Sequence, residues 1–165
     1  VAKNACYLNT VPPVRLNPKH KTSKAEHAMP IIELTKRFRF ESSHVLRNPN
    51  WSDDKNYEIF GKCARPNGHG HNYELLITIK GEVDTDDGML YELKRFKDLV
   101  NEHLIEKVDH YHLNKDVEFL EGIIPTAENL AIAFYRELKT FLPSGLLYEV
   151  KLLETENNWA VYRGE

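Results

Sequence analysis

The sequence predicts an α+β domain in which a four-stranded antiparallel sheet carries two helices on one face. Three observations point there. Apolar residues alternate with polar ones near both ends of the chain, and two stretches of helical three-four spacing lie between, giving the order ββααββ. The length, 165 residues with 41% hydrophobic, is the span of one domain with one core.

Residues 1–28 are polar, hold three prolines and show no sustained period; four lysines and one arginine against one glutamate make them locally basic. They read as a flexible N-terminal extension: a loose arm, the remnant of a targeting segment, or appended sequence. The apolar core of a secretory signal is missing from them. The single domain is expected over 29–165, because Met29-Pro30 precedes an abrupt change of pattern.

Residues 31–40 (IIELTKRFRF) place Ile32, Leu34, Phe38 and Phe40 at even positions, the signature of a half-buried strand that His44 would close. A long polar loop is expected from there to about Lys62. Strand character resumes over 72–83 (NYELLITIKGEV) and runs into the acidic turn 84–88. Over 93–108, Leu93, Phe96, Leu99, Val100, His103, Leu104 and Val108 keep helical spacing. After a loop at 109–116, Thr126 is a fitting N-cap for a second helix. Glu128 suits its first-turn dipole, Leu130, Phe134, Leu138 and Leu142 line one face, and Pro143 and Gly145 end it. Residues 147–154 and 159–162 predict a closing hairpin around Asn157-Asn158. Such a sheet leaves two edges and a face uncovered, and edges invite pairing with another chain, so oligomerisation by edge-to-edge pairing is expected.

The bulk numbers exclude several classes. A net charge of −3 argues against sequence-independent nucleic-acid binding, which favours a basic excess. No apolar run approaches the roughly 20 residues that span a bilayer, so no membrane role is expected. Two cysteines, Cys6 and Cys63, make no disulfide framework, and a reduced, cytoplasmic setting fits them.

The densest chemical signal is His69-Gly70-His71. Side chains at i and i+2 of a strand share a side, so two imidazoles can converge on one ion, and flanking Gly68 and Gly70 remove bulk. An isolated H-x-H is more readily a glycine-rich turn with exposed histidines. His44, ending the first strand where a hairpin-like pairing would bring it alongside, turns the reading to a metal site. Three neutral imidazoles with an open fourth position form the arrangement of a catalytic Zn2+ centre. Cys63, six residues before His69, is either a fourth ligand that closes the site or a free base or nucleophile whose thiolate is stabilised by the cation, Lys62 and Arg65. Asp109-His110 opens the loop after the first helix. It is either a carboxylate-held imidazole for proton transfer or a histidine placed for the helix dipole. Glu154 ends the apolar strand LLYEVKLLE, as a solvated strand end or as an anchor for a ligand's N–H donors.

These residues sit within a longer set of motifs: FESSH at 40–44, FGKCARPNGHGHNY at 60–73, GEVDTDDGML at 81–90, VDHYHLNKD at 108–116, PTAEN at 125–129, LYEVKLLETENN at 147–158 and VYRGE at 161–165. In order and wording they resemble the 6-pyruvoyl-tetrahydropterin synthase family, from about Phe38 to the C-terminus. The resemblance implies the tunnelling fold, in which subunits join sheets into a barrel trimer. Two trimers stack as a homohexamer with active sites at subunit interfaces. It implies a lyase of tetrahydrobiopterin biosynthesis that converts 7,8-dihydroneopterin triphosphate to 6-pyruvoyl-tetrahydropterin and releases triphosphate. By the same resemblance His44, His69 and His71 match the zinc ligands, Cys63 the proton-abstracting thiol, and Asp109 with His110 the relay. Glu154 matches the acid that anchors the pterin, with Glu128 and Thr126 as further substrate-site residues. Two positions depart from the pattern: Ala127 stands where a second threonine is common, and Arg65 where a small polar residue is usual.

The runner-up is 6-carboxy-tetrahydropterin synthase of the deazapurine pathway, whose cysteine usually stands four residues before the HxH pair rather than six. A non-catalytic zinc- or pterin-binding oligomer of the same fold is the third reading. Binding alone would need none of Cys63, Asp109 and His110.

Overall fold

The structure, a computed structural model, describes residues 30–165; the expected extension at 1–28, with Cys6, lies outside the described residues. Four strands form one antiparallel sheet in the order β1-β2-β3-β4: β1 Ile31–His44, β2 His69–Glu82, β3 Leu147–Thr155 and β4 Asn158–Tyr162. The four-stranded α+β arrangement expected from the sequence is therefore present. β1 is closed by His44 as expected, whereas β2 begins at His69, three residues before the expected start, and the two pair without a break from Ile31↔Glu82 to His44↔His69.

Period two decides what each face meets. Phe38, Phe40, Ser42 and His44 of β1 lie on the same face as His69, His71, Tyr73, Leu75, Ile77 and Ile79 of β2. On that face sits the core. Phe38 meets Phe96 edge to face at 6.3 Å between ring centres, Phe40 meets Phe134 at 5.8 Å, and Phe40 stacks on Tyr73 at 4.7 Å. Both helices of the β2–β3 connection pack there. Toward the histidine end of the sheet the apolar surface gives way to Ser42, His44, His69 and His71.

The loop expected after β1 holds a helix instead, α1 Asp53–Phe60, followed by the 3-10 turn Gly61–Ala64. Ser52 caps α1 by accepting the Lys55 N–H, and Asp53 and Asp54 suit its first-turn dipole. It has no apolar stripe, since its one buried residue is Asn56, so apolar periodicity could not reveal it.

The first helix expected over 93–108 is present as α2 Leu93–Val100, a π-helical turn Asn101–Ile105, and α3 Glu106–Val108. The wider turn has a physical reason. Phe96, Val100, Leu104 and Val108 are all fully buried and four apart. That spacing drifts about 40° per step around a regular α-helix, and a π turn takes up the drift. Leu93 is exposed rather than facing the core, and His103 stacks on Phe141 at 3.7 Å. The second helix is α4 Ala127–Lys139; it stops before Pro143, at Thr140. The closing hairpin turns at residues 156–157, with Asn158 already paired to Thr155.

Candidate metal centre and adjoining cavity

Pairing of β1 with β2 sets the histidines. His44 lies opposite His69 and Ser42 opposite His71, so three imidazoles crowd the core face at the sheet's end. Ring centres are 4.6 Å apart for His44 and His69, 5.1 Å for His44 and His71, and 4.8 Å for His69 and His71. One nitrogen from each falls within 4.8 Å of the other two. Gly68 makes the approach possible: its φ is +72°, and a Cβ there would stand 2.7 Å from the His44 carbonyl oxygen.

His44 is fully buried, and its Nδ1 lies 2.9 Å from the Pro125 carbonyl. A carbonyl only accepts, so Nδ1 carries the proton and the Nε2 lone pair faces the other two rings. Nε2 of His44 stands 3.2 Å from Nε2 of His69. Burial, with the neighbouring rings of His69, His71 and His112, brings the His44 pKa down to about 4, and burial also lowers that of His71. Both are therefore neutral at pH 7, the form that binds a metal. Nε2 of His71 is buried and has no hydrogen-bond partner, a cost that an ion between the rings would remove. The donor set fits a metal ion.

Glu154 enters from β3. It follows Leu152 on the core face and falls where the β3–β4 register shifts between Leu153 and Thr155. Its Oε1 stands 3.6 Å from His71 Nε2 and 3.7 Å from His44 Nε2. Glu154 also lines a cavity of about 610 Å³ together with Leu46, Thr126, Ala127, Glu128 and Trp159. The three residues expected to bind substrate thus share one cavity, and its wall touches the histidines. Thr126 also serves the helix, since its hydroxyl caps α4 by accepting the Asn129 N–H at 3.3 Å.

Cys63 sits half-buried in the turn Gly61–Ala64 as a free thiol. Among the described residues the three histidines form the group whose donor atoms all lie within 4.8 Å of one another, and Cys63 is not part of that group. Its backbone is tied to the end of β1, the Leu46 N–H donating to the Cys63 carbonyl at 2.9 Å.

Asp109 and His110 form the expected pair, His110 Nδ1 lying 2.9 Å from Asp109 Oδ2. Burial would raise the Asp109 pKa; hydrogen bonds from the Glu41 N–H and the His110 imidazole outweigh it and hold the carboxyl below its ordinary value. The pair belongs to a loop that runs along the outer edge of β1. His110 N–H donates to the Glu41 carbonyl at 2.6 Å, Ser43 N–H to Tyr111 at 3.1 Å, and Leu113 N–H to Ser43 at 2.8 Å. Asn114 closes the ladder, accepting the Val45 N–H at 2.8 Å and donating to the Val45 carbonyl at 2.9 Å. The exposed imidazole lies beside Glu41, whose side chain alternates away from Ser42 and His44. Among the described residues no hydrogen bond or ion pair joins Asp109 or His110 to the three histidines, Cys63 or Glu154. Sequence reasoning misses both the Pro125 acceptor and the Asn114 clamp. The first is a backbone group with no side-chain signal; the second is one polar residue among several inside the VDHYHLNKD motif.

Fold and site together define a class: an α+β protein whose sheet end presents three histidines able to hold a metal ion, beside a cavity lined by carboxylates. The sequence profile described as 6-pyruvoyl tetrahydropterin synthase matches residues 33–165. The chain is 47% identical over 134 residues to a 6-pyruvoyl tetrahydrobiopterin synthase of Dictyostelium discoideum, covering 81% of this chain and 97% of that one. It is 41% identical over 133 residues to the Homo sapiens protein of the same name, covering 81% and 92%. A solved structure of Caenorhabditis elegans 6-pyruvoyl tetrahydropterin synthase superposes with a TM-score of 0.79 at 39% identity, over 83% of this chain and 98% of that one. The chain belongs to the 6-pyruvoyl tetrahydropterin synthase family, and it is an enzyme.

Proposed function

We propose that this enzyme converts 7,8-dihydroneopterin triphosphate to 6-pyruvoyl-tetrahydropterin with release of triphosphate, a step of tetrahydrobiopterin biosynthesis, and that His44, His69 and His71 hold Zn2+. The observation that carries this is Glu154, which faces the histidines on one side and lines the Thr126–Glu128 cavity on the other. A bound zinc ion would supply Lewis-acid polarisation of the substrate's side-chain hydroxyls. The remaining work falls to this chain's own groups. Ionised Glu154 accepts N–H bonds from the 2-amino-pyrimidinone edge of the pterin, a charge-assisted contact that also orients the ring. Cys63, as thiolate, removes a carbon-bound proton, and His110, held by Asp109, exchanges the protons that complete the internal redox tautomerisation. Glu128 lies at the cavity rim in the first turn of α4.

Since Asp109 and His110 lie on the outer edge of β1, we assign their partner groups to a neighbouring copy. Barrel trimers stacked as a homohexamer would bring them together; β4 and residues 31–40 of β1, which have no strand partner on their outer edges among the described residues, supply the surface for it. No described helix is long and apolar enough to cross a membrane. A free thiol base at Cys63 suits a reducing, cytoplasmic compartment.

Incubating the zinc-loaded protein with dihydroneopterin triphosphate and weighing the product tests the reading. Retention of the three-carbon side chain with loss of triphosphate supports it. Shortening of that side chain would point to 6-carboxy-tetrahydropterin synthase, and no turnover to a non-catalytic binding protein.

A further inference from the structure

A primary amide is costly to bury unless its donors and acceptor are all met. Asn56 is 1% exposed, yet it belongs to a surface helix whose other residues are not buried. Its groups are satisfied by one short segment. Oδ1 accepts the Asn48 N–H at 2.7 Å, and Nδ2 faces the carbonyls of Asn48 at 3.0 Å, Trp51 at 3.2 Å and Ser52 at 3.1 Å. Asn56 therefore closes residues 48–52 against α1.

The segment it holds is the one that follows His44, and each residue there has its own anchor. Val45 is bound by Asn114, Leu46 donates to the Cys63 carbonyl at 2.9 Å, and Arg47 donates from Nη1 to the Ala64 carbonyl at 3.0 Å while pairing with Asp53. Asn48 is bound to Asn56. Cys63 itself lies in a four-residue turn entered through Gly61, and its own backbone carbonyl is held by this strap. An apolar residue at 56 could fill the space; only an amide also fixes the register of the strap against the turn.

We propose that Asn56 is a positioning residue for Cys63: by clamping Asn48 it locks the 45–48 strap, which sets where the thiol stands relative to His44. The proposal rests on the proton-abstracting role given to Cys63 above, and it deepens that role by naming what aims the thiol. Misplacing a reacting group by about 1 Å costs on the order of a hundredfold in rate. The strap meets the pterin cavity through Leu46, whereas the cavity's carboxylates are held by β3 and α4, so substrate binding should change little.

The test is Asn56→Ala in the zinc-loaded full chain. Turnover of dihydroneopterin triphosphate is expected to fall ~10- to 100-fold in kcat with KM within about twofold. Zinc stoichiometry should be unchanged, and amide hydrogen exchange should accelerate over residues 45–64 but not in β2 or α4. A merely structural residue would instead lower kcat, zinc content and protection across the sheet together, and that result would overturn the proposal. So would an unchanged kcat in a folded, zinc-loaded variant. If Asn56→Ala does not fold, Arg47→Met cuts the same strap at Ala64 from a partly exposed side chain. Local exchange and a smaller kcat loss then support the proposal, and an unchanged kcat overturns it. Should the wild-type protein turn over no pterin triphosphate, the functional reading fails on its own. The rate of Cys63 alkylation by iodoacetamide, followed by peptide mapping, would still decide the positioning role: changed in Asn56→Ala supports it, unchanged overturns it.

Discussion

Glu154 presents Oε1 3.6 Å from Nε2 of His71, the ring nitrogen that is buried without a hydrogen-bond partner. The carboxylate thereby stands at the boundary between the three histidines, which could hold a metal ion, and the cavity lined by Thr126 and Glu128. Its separation from both His71 and His44 is too long for a direct hydrogen bond, so its strong acceptor positions stay available to a ligand.

Glu154→Gln should therefore separate ligand binding from metal holding. The variant keeps the shape and loses the charge. Charge-assisted hydrogen bonds contribute about 1.5–3 kcal/mol, so KM for the pterin triphosphate should rise on the order of tenfold or more. Zinc stoichiometry, measured by atomic absorption, should stay at the wild-type value, because the three imidazoles are intact. An unchanged KM would remove Glu154 from the substrate site.

Protonation gives a second prediction, for protein stripped of metal. Burial holds the His44 pKa at about 4, below its ordinary 6.5, so on acidification the unfolded chain takes up that proton before the native state does. Between those two values the unfolded state binds more protons, and stability rises with pH. Acidifying from neutral should thus cost up to about 3 kcal/mol from this group alone, with the loss complete near pH 4. His71, also lowered by burial, acts in the same direction. Urea midpoints of chelator-treated protein across this range check it. A midpoint independent of pH would mean that His44 is not held neutral.

The fold is readable wherever burial imposes a period. Phe38 and Phe40 on β1, Leu130, Phe134 and Leu138 on α4, and the Thr126 cap all follow from side-chain spacing. Helix α1 is not readable, since what it buries is an amide rather than an apolar stripe. The three histidines are legible because strand pairing converts i, i+2 spacing and a strand end into convergence. Pro125 is silent, because it acts through a carbonyl that every residue possesses. The choice between ligand and base at Cys63 cannot be made from spacing, since the path of the six residues to His69 turns on Gly68, whose φ is +72°.

That glycine yields a third prediction. Any Cβ at 68 meets the His44 carbonyl at 2.7 Å in a backbone conformation that side chains disfavour. Gly68→Ala should cost more than about 1 kcal/mol of stability and weaken zinc retention together, since the strain is relieved by moving His44. Zinc competition with a chelator and thermal unfolding are the measurements. Full zinc affinity in the variant would show that His44 does not depend on this close approach.

Thr126 offers a sharper contrast between capping and substrate binding. Its hydroxyl accepts the Asn129 N–H at 3.3 Å while lining the cavity. Thr126→Ala should lose ~1 kcal/mol of stability by urea unfolding, with KM moving no more than about threefold. A large rise in KM with unchanged stability would reverse that assignment and make the hydroxyl a substrate contact first.

The last prediction concerns where the proposed Asp109–His110 relay acts. Cys63 hangs from the strap after His44, whereas Asp109 and His110 are bonded to the outer edge of β1 at Glu41, whose side chain points to the opposite face of the sheet. If the working site is shared between copies, Cys63→Ala and His110→Ala disable different halves of it. Each homo-oligomer should then be close to inactive. Mixed oligomers assembled by co-expression, or by unfolding and refolding the two variants together, should recover activity, because some interfaces unite an intact Cys63 with an intact His110. With random mixing in equal amounts, about one interface in four carries both wild-type groups, so about a quarter of wild-type kcat is expected, with KM unchanged at the restored sites. Mixing the two purified variants without subunit exchange should restore nothing. No recovery in verified mixed oligomers would place Cys63 and His110 in the service of the same copy, and would require the loop at 109–116 to leave the edge of β1 before it could act.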